Sequence, residues 1–206
     1  NEYGTVEIGS QNWMKQNLKV TRYNDGSTVQ SGLDGIQWNY IYTGAYSIYL
    51  DEELNANIYG NLYNWYAVDD FRGLCPEGWK IPSMTDWQKL DTFLGENVGG
   101  KLKEVGTIEG GNGHWFAPNS GATNLSGFTA LPGGYRYPQG NYSQIGQRAY
   151  FWTNENYTST NGFYRSLESN QNILFGGSLS KNYGFTCRCL EKIEGCMDES
   201  ACNYDE

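Results

Sequence analysis

The sequence predicts an α+β fold, with two main helices early and a run of short, mostly antiparallel strands late. Three observations carry this expectation. Ser83 opens a well-punctuated amphipathic helix. Short apolar runs between turn signals fill the second half of the chain. Glycine and tyrosine are abundant, at 27 and 17 of 206 residues, as in a loop-rich, short-stranded protein.

The elements follow in chain order. Residues 5–8 and 11–14 read as two strands around a Gly9-Ser10 turn, and Asn24-Asp25-Gly26-Ser27 is a turn cluster. Residues 36–42 alternate well enough for a strand, although both faces carry bulk. Residues 60–68 suit a first helix that ends before Asp69-Asp70. For the second helix, Ser83 with Asp86 three positions on is an N-cap with an acidic partner, a looser capping box. Trp87, Leu90, Phe93 and Leu94 then fall at helical spacing, and Gly95 stands where a C′ glycine ends a helix. A short third turn is expected over 101–105. A Gly/Asn-rich loop over 106–127 follows, then strands over 128–131, 149–153, 162–167, 173–175 and 184–190. Residues 1–190 make one globular domain, and 191–206 an acidic, cysteine-containing tail or the start of a linker repeat.

Composition narrows the function classes. Net charge is −9. Six acids against one lysine place −5 of it within 191–206, and neither part has the basic stripe that nucleic-acid phosphates require. No run of about 20 apolar residues is present to span a membrane. The chain starts at Asn1 without an initiator Met or signal peptide, as a mature or trimmed product would.

Five cysteines appear: Cys75, Cys187, Cys189, Cys196 and Cys202. No CxxC pair exists, and a single histidine leaves little for zinc, so disulfides and an extracellular compartment are expected. Cys196 and Cys202 are close enough to close a small local loop. Cys75 then pairs with Cys187 or Cys189. Both point to one face of a strand, so geometry leaves the choice open.

Most catalytic chemistries fail on spacing. Gly95-Glu-Asn-Val-Gly-Gly-Lys101 fits the opening of a phosphate-binding loop, but Leu102 stands where Mg²⁺ needs a hydroxyl and the preceding segment is helical. His114 lies in a glycine-rich loop, and no Gly-x-Ser-x-Gly elbow accompanies it. Asp51-Glu52-Glu53 and Asp69-Asp70 read as solvated loop and helix-end charges rather than a glycosidase pair.

Several motifs together carry a resemblance: Gly9-Ser-Gln-Asn-Trp-Met-Lys-Gln-Asn-Leu18, Tyr59-Gly-Asn-Leu-Tyr-Asn-Trp65, Cys75-Pro-Glu-Gly-Trp79, Gly127-Phe-Thr-Ala-Leu-Pro-Gly-Gly-Tyr-Arg136, Phe151-Trp-Thr153 and Gly184-Phe-Thr-Cys-Arg-Cys189. In order and spacing, residues 5–190 resemble the Fibrobacter succinogenes major paralogous domain family of secreted or surface-attached bacterial modules. The order of elements is similar to the C-type-lectin-like fold, shared with formylglycine-generating enzymes and some phage receptor-binding proteins. The resemblance implies a Cys75–Cys189 disulfide, a long closure valued at about 4–5 kcal/mol by loop entropy. It leaves Cys187 as a buried free thiol. The tail Gly195-Cys-Met-Asp-Glu-Ser-Ala-Cys-Asn-Tyr204 resembles a Gly-Cys-x-Asp-x-x-Ala-x-Asn-Tyr repeat of large extracellular proteins, which implies that the natural product continues beyond Glu206. Asp198, Asn203 and Asp205 supply oxygens of the kind Ca²⁺ takes, amounting to half a site. No other cofactor is implied.

In lectin-like folds the neighbourhood of the expected 149–153 strand carries ligand groups. The resemblance therefore points to Trp152 for stacking and Asn154, Glu155 and Asn156 for sugar hydroxyls, flanked by Tyr135 and Arg136. The expected function is a non-catalytic extracellular module for adhesion or glycan binding, with an extracellular glycan or surface protein as partner. A structural subunit of an extracellular filament or surface array, self-associating, is the alternative. An oxidase related to formylglycine-generating enzymes lacks the redox-active cysteine pair that chemistry uses.

Overall fold

The computed structural model describes residues 2–193, so Cys196, Cys202, Asp198, Asn203 and Asp205 lie outside the described residues. The chain opens on the expected hairpin. β1 (Thr5–Ile8) and β2 (Gln11–Met14) pair antiparallel, with Thr5 opposite Met14 and Ile8 opposite Gln11. Gly9 turns between them at φ +64°, a left-handed conformation open to a residue without Cβ.

Where a strand was expected over 36–42 the structure has a helix, α1 (Gly35–Tyr40). The cause is local. The Asp34 carboxylate accepts from the Gln37 N–H, and the Gln37 side chain accepts from the Asp34 N–H, a full capping box. Trp38 is the buried residue of this helix, and its indole donates to the Asn182 carbonyl at 2.7 Å.

The helix expected over 60–68 breaks into separate elements. β3 (Tyr46–Ser47) leads through a 3₁₀ turn at Tyr49–Asp51 into α2 (Glu53–Tyr59). Gly60 ends α2 at φ +80°, and a Cβ there would sit 2.7 Å from the Leu18 carbonyl. The chain then extends as β4 (Leu62–Tyr63), paired with β3, before Asn64 caps the single-turn α3 (Trp65–Val68).

β5 (Trp79–Lys80) precedes α4 (Met84–Leu94). Ser83 caps α4, the Asp86 carboxylate accepts from the Ser83 N–H, and Gly95 stands at the C-cap. Trp87 and Leu90 are buried, whereas Phe93 is 64% exposed against the expected apolar face. α5 (Val98–Leu102) starts three residues before the expected turn.

No strand forms within 106–127. Polar pins hold this loop instead. Lys103, fully buried, donates from Nζ to the carbonyls of Ser120, Glu168 and Gln171 at 2.8–3.0 Å. The strand expected over 128–131 reduces to one bridge between Lys103 and Ala130.

The hairpin of β6 (Gly133–Arg136) and β7 (Tyr142–Ile145) was not legible in the sequence. β8 (Arg148–Asn156), β9 (Asn161–Glu168) and β10 (Phe175–Ser180) form a sheet in the order β10–β9–β8. β10 starts later than expected because residues 172–173 pack on α5. The Gly100 N–H donates to the Asn172 carbonyl, and a Cβ on Gly99 would meet the Ile173 carbonyl at 2.4 Å.

Residues 184–190 form no single strand. They bridge Arg136, Tyr63 and Phe151 in turn before β11 (Leu190–Glu191) enters a second sheet ordered β1–β2–β11–β5. All strand pairs named here are antiparallel.

The β10–β9–β8 sheet separates two cores. Tyr150 and Trp152 face a cystine core that includes Tyr63, Trp65, Phe185, Cys187 and the Cys75–Cys189 disulfide. Ala149, Phe151 and Leu167 face an indole core of Trp13, Trp87, Trp115 and Phe128. This split follows from the period-two alternation of a strand. Arg188 joins the two. It is buried between Cys187 and Cys189 in the chain, donates to Asn17 Oδ1 and the Phe128 carbonyl, and lies 4.1 Å from the Phe128 ring centroid.

Candidate functional site

The residues singled out for ligand contact are divided between core and rim. Trp152 is fully buried: its indole donates to the Tyr63 carbonyl at 2.8 Å, and its ring centroid lies 4.3 Å from that of Phe185. It packs the cystine core and offers no face to a ligand, which corrects its expected stacking role. Glu155 is also engaged, accepting from the Met84 N–H at 2.9 Å at the start of α4, where a helix favours negative charge. Asn154 and Asn156 are exposed at the end of β8.

Tyr135 and Arg136 are likewise buried. The Tyr135 hydroxyl donates to Tyr137 Oη at 2.8 Å, and burial raises its pKa well above the usual phenol range. Among the described residues no contact joins Tyr135 or Arg136 to Asn154–Asn156.

Arg136 has a different task, and it reveals a site. Its Nε donates to the Gly140 carbonyl at 3.1 Å, and its Nη2 to the Leu33 carbonyl at 2.8 Å. The guanidinium lies 4.4 Å from the Trp38 ring centroid and 5.2 Å from that of Tyr142. Burial lowers its pKa from the usual arginine value. One side chain thus ties the entrance of α1 to the turn over 137–141. Beneath the clamp the two walls touch backbone to backbone: a Cβ on Gly35 would meet the Gln139 carbonyl at 2.5 Å, and one on Gly140 would meet the Gly35 Cα at 2.3 Å. Only glycine at both positions allows this approach.

Beside this contact is a shallow, open cleft of about 430 Å³ lined by Asp34, Gly35, Ile36, Asn39 and Tyr40 of the α1 segment and by Gln139. Ile36 and Tyr40, one helical turn apart, are 74% and 67% exposed. The amides of Asn39 and Gln139 and the Asp34 carboxylate add donors and acceptors to an aromatic wall.

The turn is backed by tyrosines. The Tyr137 ring centroid lies 4.8 Å from Tyr135 and 5.7 Å from Tyr183, and Tyr135 lies 5.2 Å from Tyr150. The Asn182 side chain donates to the carbonyls of Trp38, Asn39 and Ile41 and holds the far end of α1. The cleft is therefore braced on both sides. Sequence reasoning missed it, although Asp34 and Gln37 at capping spacing and Ile36 and Tyr40 four apart were its readable signals.

The other chemistries find structural duties. His114 Nδ1 lies 2.9 and 3.0 Å from the two Glu104 carboxylate oxygens, and its backbone N–H donates to Glu104, so this pair braces the long loop. The 95–101 segment is a helix C-cap running into α5. Cys187 is a buried free thiol whose pKa burial pushes far above the ordinary range. Among the described residues no helix is long and apolar enough to cross a membrane.

Neither the curated proteins nor the solved structures include a match to this chain. Residues 6–191 match the Fibrobacter succinogenes major domain, and the chain belongs to that family.

Proposed function

We propose that this protein is a non-catalytic, secreted bacterial surface module of C-type-lectin-like fold. It acts in adhesion by binding glycans, and a sugar ring sits in the cleft between α1 and the 137–141 turn. The observation that carries this reading is the preformed cleft itself. An exposed tyrosine and two amides are held at fixed spacing by a buried arginine and two touching glycines. A tyrosine face suits the apolar side of a pyranose while amides and a carboxylate hydrogen-bond its hydroxyls. Pre-organisation lowers the ordering cost that weak glycan binding otherwise carries. The Cys75–Cys189 disulfide supports the extracellular address. An oxidase would need a reactive thiol, and among the described residues the free thiol, Cys187, is buried and held protonated.

A glycan array spanning plant, algal and bacterial sugars, followed by calorimetry on any hit, tests the proposal. Tyr40→Ala is expected to weaken the hit about tenfold without loss of fold, because the residue is exposed. Asn154→Ala, at the end of β8, is expected to leave affinity unchanged. A blank array, or full affinity in the Tyr40 variant, overturns the reading.

A further inference from the structure

The cleft beside α1 has one sign of charge. Of the residues that line it, Asp34 alone is charged. Its Oδ1 accepts from the Gln37 N–H at 2.8 Å, and no described residue donates to its Oδ2. The amides of Asn39 and Gln139, with Ile36 and Tyr40, complete the lining and carry no positive charge.

The nearby cation is already spent. Arg136 is only 5% exposed, and its Nε and Nη2 donate to the Gly140 and Leu33 carbonyls. The Trp38 and Tyr142 rings flank its guanidinium. Asp34 and Asp51 both lie within electrostatic reach of it, and Asp51 also accepts from the Tyr142 hydroxyl at 3.2 Å. Two carboxylates therefore face one arginine that is held inward. The net charge of −9 adds a wider field of the same negative sign.

We propose that this cleft takes uncharged pyranoses and rejects acidic ones, and that Asp34 is the residue that sets the selection. This inference rests on the glycan reading and names the class of sugar. A ligand group that meets Asp34 Oδ2 must be a donor. A sugar hydroxyl donates to it, whereas a uronate carboxylate or a sulfate ester brings only acceptors. Two acceptors face to face leave each other unpaired and add like-charge repulsion. Stacking on Tyr40 is the same for a neutral sugar and its uronate, so the discrimination falls to Asp34.

Matched oligosaccharides that differ only by oxidation at C6, in the gluco, galacto and manno series, test this by calorimetry on the full 206-residue chain. The neutral member of a pair is expected to bind at least about fivefold more tightly. Added salt should narrow that gap, because it screens the repulsion. Asp34→Asn keeps an N-cap of equal rank for α1 and removes the charge, so the ratio of the two affinities should fall towards one. Circular dichroism and the melting temperature check that the variant folds. If Asp34 served only as a cap, both affinities would move together and the ratio would hold, which sinks the proposal. Native chain that binds both members equally, or the acidic one more tightly, sinks it as well. Array hits confined to acidic sugars, and weakened by Tyr40→Ala, would overturn this inference while the glycan reading stands. A blank array removes both.

Discussion

The cystine core and the indole core lie back to back on one sheet, yet they are held by different means. In the cystine core a disulfide closes a separation of 114 residues, and the indoles of Trp65 and Trp152 both donate to backbone carbonyls. In the indole core the Trp13 and Trp87 rings pack 4.9 Å apart, and neither N–H finds an acceptor among the described residues. That side is pinned at its rim by the buried Lys103 ammonium, which gathers three loop carbonyls. The difference teaches that a loop-rich domain can order its halves separately, one covalently and one through buried cations. Arg188 spans the boundary and belongs to both.

The largest test removes the covalent element. Cys75→Ser with Cys189→Ser is expected to cost about 4–5 kcal/mol by loop entropy, read from denaturant midpoints. Hydrogen exchange should show that loss first in the cystine core. Equal loosening of both cores would dissolve the distinction.

Arg188→Ala should follow, at about 3–4 kcal/mol. It opens a cavity under Phe128 and leaves the Asn17 side chain and the Phe128 carbonyl without a donor. Because Arg188 joins the halves, both cores should lose protection together.

Lys103→Met is expected to cost about 2–3 kcal/mol near neutral pH, since three carbonyls lose their donor, with increased exchange confined to 106–127 and 168–171. Burial lowers the Lys103 pKa from 10.5 to about 8. Between those values the unfolded chain holds more protons at this group, so the native protein should gain stability relative to the variant as pH rises. The buried tyrosines act in the opposite sense. Burial raises Tyr23 from 10.0 to about 12 and Tyr135 higher still, and it holds Tyr63 well above the ordinary phenol value. Their contribution is complete below pH 10 and is lost as pH rises through the folded-state values, so alkaline unfolding should set in above pH 10 together with phenolate absorbance. Loss of the Tyr23, Tyr63 or Tyr135 phenolic proton at pH 10 in the folded protein, read residue by residue, would refute this.

The smallest contrast is between indoles. Trp152→Phe removes a satisfied hydrogen bond, whereas Trp87→Phe removes an N–H that lacks one. The first should cost about 1 kcal/mol more than the second in paired melting experiments.

Much of this arrangement was readable in the sequence wherever the signal is local. The Ser83–Asp86 cap, the Gly95 stop and the short runs between turn signals at 149–153 and 162–167 led to the right elements because caps and turns act within a few residues. The motif resemblance led to Cys75 and Cys189. For the candidate site the reading reached Arg136 but assigned it to a ligand, since nothing in Tyr135-Arg136-Tyr137 says which way the guanidinium turns. Its partners, Leu33 and Gly140, flank it from far and near in the chain. Trp152 was misjudged for the same reason: whether an aromatic stacks on a sugar or on Phe185 depends on what covers that face of the sheet.

By itself the sequence determined the mixed helix-and-strand character, the α4 boundaries, the opening hairpin and the cysteines available for a staple. Each of these depends on hydrogen bonds or side-chain periods spanning neighbouring residues. Tertiary packing alone decided that 60–68 divides into β4 and α3 and that 184–190 threads between three elements. It also brought Gly35 against Gly140 and left β10 open. Those outcomes depend on which surfaces distant segments present to one another, and burial is a property of the assembled surfaces rather than of any one stretch of chain.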